Sequence, residues 1–153
     1  MITIQCEDFN PATEYEALRQ TGAIGAIVTF VGLVRNFTAC GRSGNQYMFL
    51  EHYPGMTEKV LSNIATQAKR KWRLQQVRII HRVGELAIGD QIVYVGIGAA
   101  HRKDAFAACE FIIDILKTQA PFWKKEGSHW VEANPDDADK ADCWMTQNEP
   151  QTK

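Results

Sequence analysis

Between Met56 and Trp72, apolar residues recur with the 3.6-residue period of an α-helix, and most positions between them are polar. The apolar positions are Val60, Leu61, Ile64, Ala65, Ala68 and Trp72. This pattern predicts an amphipathic helix, which is stable only when its apolar face packs on another layer. A second long helix is predicted from near His101 to a stop before Pro121. Its apolar face carries Ala105, Ala108, Cys109, Ile112 and Leu116.

Strand-like segments supply the layer that these helices need. Alternating or β-branched runs predict strands at residues 2–6, 23–34, 46–53, 77–83 and 91–99, and a short last strand at Trp130 and Val131. The run at 23–34 is expected to be buried on both faces. Asn10 and Pro11 predict the start of a short surface helix, and residues 84–90 predict a turn region. The elements indicate the α+β class, with two major helices on a mixed sheet.

The chain is long enough for one hydrophobic core, with 153 residues. We expect a single domain over residues 1–133. A polar C-terminal tail over 134–153 is expected to be partly disordered or to pack only through Trp144. The glycine- and serine-containing loop at 37–45 is expected to be the most mobile segment.

Charge and hydropathy exclude several classes of protein. The 17 Lys and Arg residues against 18 Asp and Glu, with net charge -1, argue against a chain-wide nucleic-acid-binding surface. The apolar run at 22–34 is shorter than the ~20 residues of a membrane span, so none is predicted. The first ten residues contain Glu7 and Asp8 and lack the basic start of a secretory signal. We therefore expect a cytoplasmic protein.

The cysteines and the missing motifs narrow the chemistry further. Cys6, Cys40, Cys109 and Cys143 lie far apart in sequence, so no metal site is predicted and most should be buried free thiols. Only Cys40, in the loop, is considered as a nucleophile. The chain has no P-loop, no G-x-G-x-x-G, no H-E-x-x-H and no G-x-S-x-G segment.

Cationic residues at the ends of the second long helix are the strongest local signal. His101, Arg102 and Lys103 open that helix, where its positive end makes extra cations unfavourable unless an anion binds. Lys117 lies in the last turn, and Lys124 follows a predicted bend at Pro121. The two lysines could converge on one pocket and supply a base or nucleophile. Solvated side chains and simple dipole complementarity remain the alternative.

Five segments occur in order along the chain: FVGLVRN at 30–36, LEHYPGM at 50–56, IHRVGEL at 80–86, AHR at 100–102 with LKT at 116–118, and APFWK at 120–124. Together they resemble the large, catalytic subunit of molybdopterin synthase, over about residues 22–132. The resemblance implies an α/β hammerhead fold and a homodimer. It also implies a small ubiquitin-like partner at each end of that dimer, which makes a heterotetramer.

The resemblance also implies an activity. The C-terminal Gly-Gly tail of the small partner carries a thiocarboxylate and enters a pocket on the large subunit. Two such sulfurs pass in turn to cyclic pyranopterin monophosphate and form the dithiolene of molybdopterin. Because the sulfur arrives on the partner, this chain needs no catalytic cysteine, no metal and no cofactor.

Site residues are likewise implied by the resemblance. Lys117 and Lys124 are the expected catalytic residues, with their division of roles left open. The expected substrate-binding residues are Leu33, Val34, Arg35, His101, Arg102, Lys117, Lys124, Lys125 and Glu126. Arg35, His101 and Arg102 would hold the phosphate or ring of the pterin. Leu33 stands where many family members have a basic residue, so its contact would be apolar or through the main chain.

Two other functions remain as alternatives. The first is a non-catalytic module that binds a partner's C-terminal tail or an anionic small molecule. The second is RNA binding through basic residues around Trp72, namely Lys69, Arg70, Lys71 and Arg73. The second is disfavoured because basic residues in a last helical turn complement the dipole and the chain is acidic overall.

Overall fold

A computed structural model describes residues 1–19, 22–35, 47–126, 129–131 and 135–146. The predicted loop at 37–45, including Cys40, lies outside this range. In chain order the elements are β1 (Ile2–Gln5), α1 (Pro11–Leu18), β2 (Ala26–Leu33), β3 (Tyr47–His52), α2 (Met56–Lys71), β4 (Leu74–Arg82), β5 (Gly84–Ala87), β6 (Gln91–Ala99), α3 (Arg102–Gln119), β7 (Phe122–Glu126), β8 (His129–Val131) and α4 (Pro135–Thr146). The α+β class and both major helices are confirmed.

The first sheet, sheet A, has the strand order β1-β4-β6-β2. It is mixed, as predicted, because β1 runs parallel to β4 while β4, β6 and β2 are antiparallel. Helices α2 and α3 cover one face, where Leu61 and Ile112 join Ile79 and Val95 in the main core. On the other face Tyr94 packs with Phe9 and Ile80. The core therefore follows the predicted helix stripes.

Strand β2 differs from its prediction. It lies at an edge of sheet A, and most of its residues are only half-buried, with Thr29 and Leu33 exposed. The expectation that residues 23–34 are buried on both faces was therefore wrong. An apolar run gives the hydrophobicity of a strand but does not reveal whether other elements will pack on both of its faces.

A second sheet, sheet B, was not predicted. Its strands are antiparallel in the order β5-β3-β7-β8. Strand β5 occupies the first four residues of the stretch predicted as a turn, and β7 replaces the predicted bend after Pro121. A small core lies under the sheet and consists of Val34, Met48, Leu50 and Leu86. These pairings join distant parts of the chain, so local patterns did not reveal them.

Part of the predicted tail is the helix α4. Ala141 is buried, and the Trp144 indole Nε1 donates a hydrogen bond to Asp114 Oδ2 at 2.9 Å. Helix α4 therefore packs on α3 through more than Trp144. The division into a domain at 1–133 and a tail at 134–153 remains a prediction. Of the helices in the described ranges, none has the length and apolar character needed to cross a membrane.

Candidate functional site

The start of α3 forms the first candidate group. His101 precedes the helix in extended conformation, and the exposed residues Arg102 and Lys103 begin the first turn. Beside them lies Gly25, whose N–H donates to Ala99 O at 3.0 Å. These residues, together with Ala26 and Ala100, line a pocket of about 430 Å³. We call Gly25, His101, Arg102 and Lys103 the helix-start group.

The end of α3 carries the second group. Lys117 is exposed in the last turn, and the Ala120 N–H donates to Leu116 O at 3.1 Å where the helix stops. The chain then enters β7, which bears the half-buried Lys124. Arg35 follows Val34, whose side chain packs with Leu50, the cross-strand partner of Lys124. Lys117, Lys124 and Arg35 are therefore called the helix-end group.

Lys124 and Lys125 occupy opposite faces of β7, because successive side chains of a strand alternate. Lys124 pairs with Leu50, which is buried, on the face turned toward the core. Lys125 pairs with the exposed Phe49, and its Nζ lies 5.7 Å from the centre of the Trp130 ring. Strand β7 ends at Glu126. The predicted contact of Lys125 with substrate is thus not supported by its neighbours, and it stays a prediction.

The segment before Arg35 is built for packing. The Val34 N–H donates to Asp90 O at 2.9 Å, and its own carbonyl accepts from the Gly89 N–H at 2.8 Å. The Val34 side chain is buried, whereas Leu33 is 55% exposed. Substrate contact by Val34 therefore has no support from its side chain. Leu33 is open to solvent beside Arg35, as an apolar contact would require.

One protomer does not bring the two groups together. Arg102 and Lys117 stand 15 residues apart on α3, which at 1.5 Å per residue is about 22 Å along the helix axis. A single recess that contains all the predicted cations is therefore not formed within the described part of one chain.

Two buried polar residues hold the segment between Lys117 and Lys124. The His81 ring stacks on Phe122, with centroids 3.8 Å apart and planes at 16°. The Thr57 hydroxyl lies 3.3 Å from Pro121 O. Neither residue is among the functional residues predicted from the sequence, although IHR at 80–82 belongs to a matching segment. The available signal was that strand alternation places His81 on the same face as the apolar residues Val77 and Ile79.

Cysteine chemistry receives little support. Burial raises the pKa of Cys109 to about 12, with nearby Glu110 acting in the same direction, so the reactive thiolate is disfavoured there. Cys6 and Cys143 are exposed, which corrects the expectation that most thiols are buried. Among the described residues, no three side chains of the metal-ligating types cluster as an ion would require.

The basic end of α2 is engaged in packing. Lys71 Nζ lies 5.1 to 5.6 Å from the ring centres of three aromatic residues, Trp72, Phe111 and Trp144. These rings contact one another edge to face, for example Trp72 and Phe111 at 5.4 Å. Trp72 is therefore not presented for stacking on a nucleic-acid base, as the RNA-binding alternative would require.

Comparison with known proteins agrees with this architecture. The family model described as MoaE protein matches residues 4–119. The molybdopterin synthase catalytic subunit of Vibrio cholerae is 52% identical over 147 residues, which cover 94% of this chain and 97% of that protein.

Two solved structures are similar as well. Molybdopterin cofactor biosynthesis protein E from Burkholderia multivorans superposes with a TM-score of 0.82 at 47% identity, covering 95% of this chain and 96% of that one. Molybdopterin synthase from Staphylococcus aureus has a TM-score of 0.76 at 34% identity, covering 84% and 95%.

Proposed function

The chain belongs to the MoaE protein family, and from that premise we propose that it is the catalytic subunit of a molybdopterin synthase. It transfers sulfur from the C-terminal thiocarboxylate of a small ubiquitin-like subunit to cyclic pyranopterin monophosphate, and the product is the molybdopterin dithiolene. A relative of that name is 52% identical over 94% of this chain, which supports the proposal. The proposal rests most directly on two residues, Lys117 in the last turn of α3 and Lys124 in β7, which lie on either side of the short α3–β7 connection.

The chemistry explains why cations are needed. The thiocarboxylate, the cyclic phosphate and the oxyanion formed during hydrolysis of the acyl intermediate are all negatively charged. Fixed cations therefore stabilise both the bound substrates and the steps in which charge develops. Lys117 and Lys124 act at the thioacyl carbon as donors that can also exchange a proton. Arg35, His101 and Arg102 bind the pterin phosphate or ring.

The separation of the two groups leads to the proposed assembly. Because about 22 Å of helix separates Arg102 from Lys117, the helix-start group of one protomer completes the helix-end group of the other. A two-fold homodimer then contains two equivalent sites. One small subunit at each site makes the heterotetramer. The cytoplasmic location and the absence of a cofactor expected from the sequence belong to the same proposal.

Reconstitution of the reaction tests the function. The purified full-length chain is mixed with a thiocarboxylated small subunit and cyclic pyranopterin monophosphate, and products are followed by mass spectrometry. We expect a pterin that has gained two sulfurs and a small subunit that has become a carboxylate. A small subunit that carries an ordinary carboxylate is the control and should give no product.

The non-catalytic alternative predicts a different result. A binding module would retain the small subunit in a stable complex and leave the pterin unchanged under the same conditions. That outcome, obtained with a thiocarboxylate verified by mass, would contradict the enzymatic proposal.

A further inference from the structure

The segment that joins Lys117 to Lys124 determines how the two lysines are placed relative to each other. Helix α3 ends at Gln119, and β7 begins at Phe122, so only two residues form the connection. The Phe122 N–H donates to Ala120 O at 2.8 Å, which tightens the turn. Any movement of Pro121 or Phe122 therefore shifts β7, and with it Lys124, against the end of α3.

The first contact that holds this segment comes from sheet A. His81 lies on the central strand β4, where it pairs with Val93 of β6 and Ile4 of β1. The residue is 6% exposed, and its ring lies face to face with that of Phe122 at a centroid distance of 3.8 Å. The His81 Nδ1 also lies 2.9 Å from Arg82 O, so that nitrogen carries the proton and the ring orientation is defined. A rigid strand thus supports the first residue of β7.

The second contact comes from helix α2. Thr57 is fully buried, and its single hydroxyl proton is shared between Tyr53 O at 3.0 Å and Pro121 O at 3.3 Å. The same oxygen accepts the Tyr53 N–H at 3.1 Å. The first turn of α2 is therefore connected to the Pro121 carbonyl, one residue before the Phe122 ring that His81 supports.

The choice of residue types argues for more than space filling. An apolar side chain in a central strand avoids the desolvation that a buried imidazole undergoes. That desolvation lowers the pKa of His81 to about 4, so the ring is neutral near pH 7. A planar neutral ring and a hydroxyl fix one segment from two independent elements, β4 and α2. Their shared target is the connection between the two lysines.

We propose that His81 and Thr57 are positioning residues, which hold Lys124 at a defined place relative to Lys117 through Phe122 and Pro121. This inference rests on the function proposed above, because it assigns the two residues a role in sulfur transfer. Neither residue belongs to the groups that bind substrate. Their effect is on geometry, to which reactions between oriented groups are highly sensitive.

Steady-state kinetics of the reconstituted synthase test the inference. For His81→Ala we expect kcat to fall about 10-fold or more while KM for the pterin changes less than about twofold, because the arginine contacts are unchanged. His81→Phe retains a stacking ring and should recover most of the lost kcat. For Thr57→Val we expect a similar loss, and Thr57→Ser, which retains the hydroxyl, should restore the rate.

A matched control comes from the same helix. The Thr66 hydroxyl donates to Ser62 O at 2.9 Å within its own helix, and Thr66 is exposed. Thr66→Val removes an equivalent hydroxyl without affecting Pro121, so its kcat should equal that of wild type. The inference would be overturned if kcat fell equally in Thr57→Val and Thr66→Val. It would also be overturned if either His81→Ala or Thr57→Val kept the kcat of wild type.

Hydrogen exchange of the full-length chain gives a readout independent of activity. We expect the amides of residues 122–126 to exchange faster in His81→Ala and Thr57→Val. Ile97→Val, a core change on β6, is the control, and in it those amides should exchange more slowly than in His81→Ala and Thr57→Val. Unchanged exchange in both variants would overturn the inference even if kcat fell. If wild-type protein forms no dithiolene, the proposed function fails, and the exchange data still decide whether the two residues hold β7.

Discussion

Lys124 and Lys125 are neighbours in β7, yet their side chains leave the strand on opposite faces. Lys124 lies opposite the buried Leu50, and Lys125 lies opposite the exposed Phe49. We therefore expect Lys124→Ala to lower synthase turnover by about 10²-fold, whereas Lys125→Ala lowers it less than about threefold. Turnover in the reconstituted reaction is the measurement. Equal losses in the two variants would contradict the assignment of only Lys124 to the reacting side.

Complementation between inactive variants tests the shared site. Lys117→Ala is expected to lower turnover by about 10²-fold or more, and Arg102→Ala is expected to weaken pterin binding, so both variants are nearly inactive when the pterin is limiting. If each site takes Arg102 from one protomer and Lys117 from the other, subunit exchange creates one intact site in every mixed dimer. Random exchange of equal amounts should restore about a quarter of wild-type turnover. A mixture that exchanges subunits without regaining activity would show that one protomer supplies both residues.

Gly25 shapes the pocket at the start of α3. A Cβ at this position would overlap the main-chain oxygen of Ala100, which cannot move away as a flexible side chain would. Gly25→Ala should therefore destabilise the protein by about 1–3 kcal/mol and weaken pterin binding, since His101 follows Ala100 directly. Urea unfolding and a binding titration measure the two effects. Gly22→Ala is the control, because a Cβ there meets no atom within 4 Å; equal effects would contradict the prediction.

Stability should fall as the pH drops toward the pKa of His81. Burial lowers this pKa from 6.5 to about 4, and His52 acts in the same direction, although the bond to Arg82 opposes them. Between these values the unfolded chain binds a proton that the folded chain does not. The stability that comes from keeping His81 neutral is therefore fully present above pH 6.5 and is lost as the pH falls to about 4. The total loss in unfolding free energy is about 3 kcal/mol.

Urea unfolding of wild type and His81→Phe at several pH values measures this dependence. Groups such as Glu58 titrate in both proteins and cancel in the comparison. The free energy of unfolding of wild type should decline more steeply below pH 6.5 than that of His81→Phe. Parallel curves would show that His81 is not buried in its neutral form.

Trp144 should hold α4 against the rest of the fold. Trp144→Phe removes the hydrogen bond from Nε1 to Asp114 and keeps most of the ring contacts, so we expect a loss of about 1 kcal/mol in unfolding free energy. Trp130→Phe is the control, because Trp130 is 55% exposed, and its loss should be within about 0.5 kcal/mol. Equal stability of wild type and Trp144→Phe would indicate that the hydrogen bond contributes nothing to the packing of α4.

The predicted elements differ in accuracy for physical reasons. The stripes in α2 and α3 were read correctly because helix contacts repeat within four residues, so the periodicity is recorded locally. The sequence predicts a turn where β5 forms, because the four residues of β5 gain their hydrogen bonds from β3, more than thirty positions earlier. Packing through Trp144 agrees with one expectation from the sequence, whereas the helix α4 and the burial of Ala141 were not predicted, because they depend on contacts with another helix.

The candidate site shows the same division. The sequence by itself determined which residues carry charge, which family the segments resemble and which helices bear the cations, since these follow from residue identity and short-range period. Only the tertiary structure decided that Lys124 and Lys125 lie on opposite faces of a strand and that His81 supports Phe122. Strand pairing and helix placement are set by contacts between distant parts of the chain, and those contacts have no local signature in the sequence.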